Sequence, residues 1–295
     1  MHISQDKMNI INKLTIGTVQ FGLDYGINNS GGKVSAKEVY KILDIAFNNG
    51  IYTLDTSAAY GDSESIIGGI LSDSKLHFNI ISKYPQSSNK VKDIFKQSLS
   101  ELHQSQIYGY LIHHFEYYKL HPEIWEEMLV LKDSGLVSKI GFSLYEINQL
   151  EYLIENDVKL DILQIPYNIL DRQFEPFFEE LSYNNIEIHT RSVFLQGLFF
   201  KPVKQMPQKL TPLIPYLEEI THFCIEKGIE KEELAINAII HNPLINNLLI
   251  GVDGVNQLIK NITCIWDKIP EDISKFVETI DVKEKNLLNP VNWNK

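Results

Sequence analysis

Apolar positions along the chain alternate between two periods. Short β-rich runs recur at LTIG (14–17), IYTLDT (51–56), FNIISK (78–83), YGYLIHH (108–114), KIGFS (139–143), DILQI (161–165), IEIHTRS (186–192) and NNLLIGV (246–252). Between them apolar residues return every three or four positions, the spacing of a half-buried helix. The segment from Ser35 to Asn49 shows it clearly, with Val39, Ile42, Leu43, Ala46 and Phe47 on one face. Ser35 followed by Glu38 forms a capping-box pattern, and Gly50 stands where that helix should stop. Similar spacing predicts helices near 63–71, 90–103, 122–134, 146–155, 174–183, within 213–241 and near 255–266.

Strands joined by helices of this length need crossover connections, so they lie parallel, and eight such units close into a (β/α)8 TIM barrel of the α/β class. A doubly wound open sheet is the alternative, but no Gly-x-Gly-x-x-Gly follows the first strand. The stretch GLFFKPVKQMPQKLTPLIP (197–215) carries prolines and lysines and reads as a surface loop or lid. No composition break divides the chain, so a single domain spanning 1–295 is expected.

Charge and composition narrow the function. With 27 Lys+Arg against 38 Asp+Glu, the net charge of −11 argues against a sequence-blind nucleic-acid binder. The opening MHISQDKMNI lacks the apolar run of a signal peptide, and no stretch approaches a membrane span, so a cytoplasmic protein without a membrane partner is expected. Cys224 and Cys264, the only cysteines, sit among apolar neighbours and read as reduced core thiols. A monomer or small homo-oligomer is expected.

In such a barrel the carboxyl ends of the strands converge on one mouth. The second run reaches Asp55 and leads to Tyr60, the third ends at Lys83, and the fourth ends at His113 and His114. These types suit carbonyl reduction. Hydride delivery to a carbonyl builds negative charge on its oxygen, which must receive a proton and hydrogen bonds as it forms. A tyrosine can give that proton, provided a cation such as Lys83 lowers its pKa. Asp55 would hold the ammonium, and a neutral His113 would orient the oxygen or relay a proton.

Taken in order, LTIGTVQFGLDYG, LDTSAAYGDSE, ISKYP, YLIHHF, KIGFS, LQIPYN, RSVFLQG and IGVDGVNQLIKN resemble the aldo-keto reductase superfamily over nearly the whole chain. The resemblance implies a catalytic tetrad of Asp55, Tyr60, Lys83 and His113, a small-molecule carbonyl substrate and NAD(P)H bound without a Rossmann domain. It implies Gly17, Thr18 and Asp55 near the nicotinamide ribose, and Ser143 with Gln164 on the carboxamide. Arg191 would stand beside the ring, Ser192 to Leu195 with Phe194 along the pyrophosphate, and Gly251, Val252, Asp253, Gln257 and Asn261 at the adenosine end.

Three positions depart from the family pattern. Leu144 stands where Asn commonly follows the carboxamide serine. Arg191 replaces an aromatic ring, and its planar guanidinium can stack in that ring's place. The GVDG turn has no Arg or Lys for a 2'-phosphate and offers Asp253, which favours NADH over NADPH.

Other readings stay open at this point. Asp55 alone could be a turn residue, and Asp253 could cap the final helix. His114, adjacent to His113 on a strand, would face the opposite side, either at the substrate rim or in a structural role. Tyr25, in the polar first loop DYGINNSGGK, borders the expected pocket and is a substrate-binding candidate. Tyr117, Tyr118 and Trp125 either wall the substrate or pack beneath a helix, and His121, His189, His222 and His241 join no constellation. No metal site is expected. A sugar-derived carbonyl is the substrate this first loop suggests. The alternatives to a reductase are a cofactor-sensing protein that keeps the fold, or a barrel for a phosphorylated ligand.

Overall fold

Parallel pairing runs through a complete circle. The computed structural model of the protein describes residues 4–27, 29 and 31–293. Its strands are β1 (Leu14–Gly17), β2 (Thr53–Asp55), β3 (Asn79–Tyr84), β4 (Ile107–Ile112), β5 (Val137–Ser143), β6 (Ile162–Pro166), β7 (Glu187–Arg191) and β8 (Asn247–Gly251), paired in that order with β8 returning to β1. Helices cover the outside: α1 (Gln5–Ile11), α2 (Val19–Gly22), α3 (Ala36–Asn48), α4 (Ser63–Ser72), α5 (Val91–Glu101), α6 (Phe115–Leu120), α7 (Glu123–Asp133), α8 (Ile147–Glu155), α9 (Phe178–Tyr183), α10 (Ile214–Lys227), α11 (Lys231–Ile240), α12 (Val255–Thr263) and α13 (Glu271–Thr279). This is the single-domain (β/α)8 barrel that the alternation predicts. Asn28 and Ser30 of the first loop, and the ends 1–3 and 294–295 of the expected domain, lie outside the described residues.

The structure amends several details. The short helices α1, α2 and α6 and the later α13 had no counterpart in the sequence reading. His113 and His114 lie past the end of β4, and His114 is already the N-cap residue of α6, so strand alternation does not set its direction. The 197–215 stretch is a packed segment rather than a free loop: it contains 3-10 turns over Leu195–Phe200, Val203–Gln205 and Gln208–Leu213, and Leu198, Phe199, Leu210 and Leu213 are buried. Ser35 caps α3 by accepting from the Glu38 amide, 3.4 Å away, and Gly50 follows with φ +87°. Glu38 does not complete the box. Its carboxylate accepts from the Val255 amide at 3.1 Å, because the free N–H groups at the start of α12 attract a negative charge.

Within the barrel Ile81, Leu111 and Ile162 pack together. A Cβ on Gly141 would lie 1.8 Å from the Ile162 carbonyl oxygen, so only glycine lets β5 and β6 approach there. A polar cluster adjoins this layer near the amino ends of β4, β5 and β7. Glu187 accepts from Lys139 at 2.5 Å and Tyr108 at 2.6 Å and meets buried His189 at 3.1 Å. Burial raises the Glu187 carboxyl, but His189, Lys139 and Tyr108 outweigh it and hold the pKa at about 2, below the ordinary 4.5.

A carboxyl depressed by folding stabilises the fold above its unfolded pKa, and that contribution is lost as pH falls through the folded value. Glu187→Gln is therefore expected to cost on the order of 3 kcal/mol at pH 7. Urea melts of both proteins should differ most at neutral pH and converge as pH is lowered from 4.5 towards 2. An equal deficit at every pH would mean that the charge is not what stabilises.

Candidate active site

The register of the barrel gathers the polar residues at its carboxyl end. Gly17 pairs with Asp55 on one side and Gly251 on the other, and Ser143 pairs with Gln164. Lys83 extends into the same mouth from β3 and is fully buried. Its ammonium donates to Asp55 Oδ1 at 2.5 Å and to the Thr56 carbonyl at 2.9 Å. The other Asp55 oxygen accepts from Gln164 Nε2 at 2.7 Å, and Gln164 Oε1 accepts from Ser143 Oγ at 3.2 Å. A continuous chain of hydrogen bonds thus joins β3, β2, β6 and β5.

Tyr60 and His113 complete the cluster. The Lys83 ammonium lies 5.2 Å from the Tyr60 ring centroid, and the Tyr60 and His113 rings meet edge to face at 5.8 Å. His113 Nδ1 is 3.2 Å from Ser57 Oγ. The Tyr60 loop is seated on α2 through glycines: a Cβ on Gly22 would be 1.7 Å from the Tyr60 carbonyl oxygen, and Gly61 has φ +58°. The tetrad residues therefore meet, as expected from their order.

The electrostatics differ from the sequence-based expectation in one respect. Burial pushes the Tyr60 phenol up, and Asp55 and Tyr145 push it further; Arg191, not Lys83, is the cation that pulls against them. The Lys83 charge is already matched by Asp55, while burial drives its pKa down. His113 is held well below the usual imidazole value by burial, then by Lys83, His114 and Arg191. At neutral pH the mouth therefore presents a protonated phenol and a neutral imidazole.

A cleft of about 470 Å³ leads away from this cluster. Gly17, Thr18, Ser143, Gln164, Arg191, Ser192, Phe194, Gly251, Asp253, Gln257 and Asn261 all line it, as does Tyr25. Four candidates do not. Lys83, Leu195 and Val252 are fully buried outside its lining, and His114 is exposed at the start of α6, because the chain turns into that helix directly after His113. Thr18 turns its hydroxyl to the Asp55 carbonyl at 3.0 Å. Asp253 and Gln257 bond one another, amide to Oε1 at 2.8 Å and Nε2 to carboxylate at 3.3 Å; the N-cap residue of α12 is Gly254, so the Asp253 side chain does not cap that helix.

Several lining residues went unnoticed in the sequence. Tyr145 stacks on Arg191, whose guanidinium carbon is 4.0 Å from the ring centroid. Gln196 donates to the Tyr25 hydroxyl at 2.7 Å and clasps the first loop to the loop after β7. Lys260 lines the far end and pairs with Glu232 at 2.7 Å. Gln20 is buried with an unpartnered side-chain oxygen, and Asn261, 4% exposed, makes no side-chain hydrogen bond among the described residues. Tyr145 was within reach of a sequence argument, two residues past the end of β5; the others depend on neighbours remote in sequence.

The cleft fits a dinucleotide by its donor set. The buried, unpartnered side-chain oxygen of Gln20 needs a polar partner, and the Asn261 amide lines the same cleft. Ser192 and Gln196 hold positive φ along the wall and Leu195 does so behind it, backbone strain of the kind that clusters at ligand clamps.

Comparison with known proteins agrees. The family model of the aldo/keto reductase family matches residues 13–281. The chain is 24% identical to an uncharacterised oxidoreductase of Bacillus subtilis, YrpG, over 92% of each protein. It is 30% identical to D-arabinose 1-dehydrogenase of Saccharomyces cerevisiae over 39% of this chain and 38% of that protein. The structure of the aldo-keto reductase AKR11C1 from Bacillus halodurans, in its holo form, superposes with a TM-score of 0.74 over 91% of this chain and 92% of that one; at 17% identity this speaks to the fold. The chain belongs to the aldo/keto reductase family. It is an NAD(P)-dependent oxidoreductase acting on a small-molecule carbonyl substrate. No helix among the described residues is long and apolar enough to cross a membrane.

Proposed function

We propose that the protein reduces the carbonyl of an aldehyde or ketone with Tyr60 as general acid and with NADH preferred to NADPH. One observation carries the reading: Tyr60 keeps its proton beside a neutral His113 and above the buried Lys83–Asp55 pair, all at the head of one cleft. When bound, the reduced nicotinamide supplies a hydride to the carbonyl carbon. Tyr60 donates its proton to the carbonyl oxygen as charge builds there. His113 orients that oxygen. Lys83 faces the phenol ring with Asp55 holding its ammonium in place, and Arg191 is the cation whose field favours the phenolate left behind.

Gly17, Thr18, Ser143, Gln164, Ser192, Phe194, Gly251, Gln257 and Asn261 would hold the cofactor along the cleft, joined by Gln20. A sugar-derived carbonyl is favoured by the polar first loop and by the yeast relative, whose name gives D-arabinose as its substrate.

The NADH preference rests on the acidic far end. Asp253 lines it, and the one lysine there, Lys260, is already paired with Glu232. Titration with NADH and NADPH, followed by tryptophan quenching, should give tighter NADH binding in the wild type. Glu232→Gln frees Lys260 for a 2'-phosphate and should improve NADPH affinity by roughly threefold to tenfold, the effect of one charge-assisted contact partly screened by water. Tighter NADPH binding by the wild type would overturn the preference, and failure to bind either cofactor would overturn the reductase reading.

A further inference from the structure

Arg191 is a cation without a counter-ion at the reacting end of the cleft. It is half-buried at the end of β7 and lines the cleft with Tyr25, Tyr60, His113 and Tyr145. Its side chain bonds only neutral oxygens, donating from Nη2 to the Leu144 carbonyl at 2.8 Å and from Nη1 to Ser192 Oγ at 3.3 Å. No carboxylate among the described residues forms a salt bridge with it. The other buried charges at this mouth, Lys83 and Asp55, neutralise each other at 2.5 Å. The buried Asp171 carboxyl lies within the field of Arg191 without forming a salt bridge with it, so the guanidinium at the reacting end has no contact ion pair among the described residues.

A half-buried cation without a contact ion pair, lining a cleft from which a ligand would displace water, is placed to gain from an anionic partner. Tyr145 stacks on the guanidinium at 4.0 Å and fixes its plane, which leaves the unused N–H groups in a fixed fork suited to a planar anion. The location sets which ligand is met. Arg191 pulls down the phenols of both Tyr25 and Tyr60, so its field falls where the carbonyl is reduced. Asp253, Gln257, Lys260 and Asn261 line the same cleft from the turn after β8 and from α12.

We infer that the substrate is an anionic carbonyl compound, bearing a carboxylate or an equivalent acidic group that Arg191 holds while Tyr60 serves the carbonyl. The inference rests on the reductase reading above and adds the chemical class of its substrate. A phosphate of the cofactor is the other possible source of negative charge, and the experiment separates the two.

Steady-state reduction of 4-oxobutanoate and of butanal is compared with NADH as donor, in the wild type and in Arg191→Met, alongside the NADH affinity of each from tryptophan quenching. The wild type is expected to favour 4-oxobutanoate in kcat/KM by roughly tenfold to a hundredfold, the worth of a hydrogen bond to a charged group. That preference should shrink with rising salt, a readout that needs no variant. Arg191→Met should bring the ratio close to one, chiefly through KM for 4-oxobutanoate, with NADH affinity shifted less than the ratio. Arg191→Lys, which keeps the charge and loses the fork, should fall between.

A wild-type ratio near one overturns the inference. So does an Arg191→Met protein that loses NADH affinity and keeps the ratio, since the charge would then serve the cofactor. Failure of the underlying reading has a different signature: the wild type binds NADH and consumes neither aldehyde, and the inference falls with it.

Discussion

Tyr60→Phe should lower kcat by about 10²- to 10⁴-fold, the range lost when a positioned general acid is removed. The substitution takes away one oxygen that makes no hydrogen bond among the described residues, so the ring contacts with His113 and Lys83 survive. Melting temperature and NADH affinity should therefore stay close to wild type, and the loss should fall on kcat rather than KM. The wild-type profile of kcat against pH supplies a second check. His113 titrates well below 6.5 and Tyr60 well above 10, so no inflection should come from either group between those values. A Tyr60→Phe enzyme with normal turnover would show that another group gives the proton.

Lys83→Met should cost about 3–5 kcal/mol of stability, because it leaves Asp55 buried with its charge unmatched. Asp55 is 2% exposed, and with the ammonium gone its carboxylate retains Gln164 as its remaining side-chain donor. Adding Asp55→Asn to that variant should recover much of the loss, since the uncompensated charge then disappears. Denaturant unfolding of the two single variants and the double variant measures this coupling. A loss below about 1 kcal/mol for Lys83→Met would mean that the pair is solvated and held as weakly as a surface ion pair. Turnover should fall in both proteins, because both lose the ammonium that packs on the Tyr60 ring.

The alternation of strand and helix was legible because each strand is buried on both sides and each long helix has one apolar face. Val39, Ile42, Leu43 and Ala46 are all buried on α3, as their spacing implies. The helix α6 escaped notice because its six residues are too few to show a period, and α13 because it buries only Ile273 and Val277. Within the site, positions on strand ends were readable from order alone. The pairing of Lys260 with Glu232, or of Gln196 with Tyr25, joins segments remote in sequence, and no local pattern marks such partners. His114 was misplaced for a related reason, since the turn from β4 into α6 begins one residue earlier than the apolar run suggests.

The hydrogen-bonded chain from Lys83 through Asp55 and Gln164 to Ser143 is also a seam between two halves of the polypeptide. The residues of the proton-transfer cluster end at His113, whereas the cleft wall from Ser143 to Asn261 belongs to the later half. One amide, that of Gln164, carries the side-chain contact from the later half to Asp55. The proton-transfer residues are thus encoded wholly in the first half of the gene, while the cleft wall is shared, with Gly17, Thr18, Gln20 and Tyr25 also coming from that half. Recombination between relatives near residue 120 would exchange the wall from Ser143 to Asn261 as a block and leave the acid and the first-loop wall intact, so long as a glutamine returns to face Asp55.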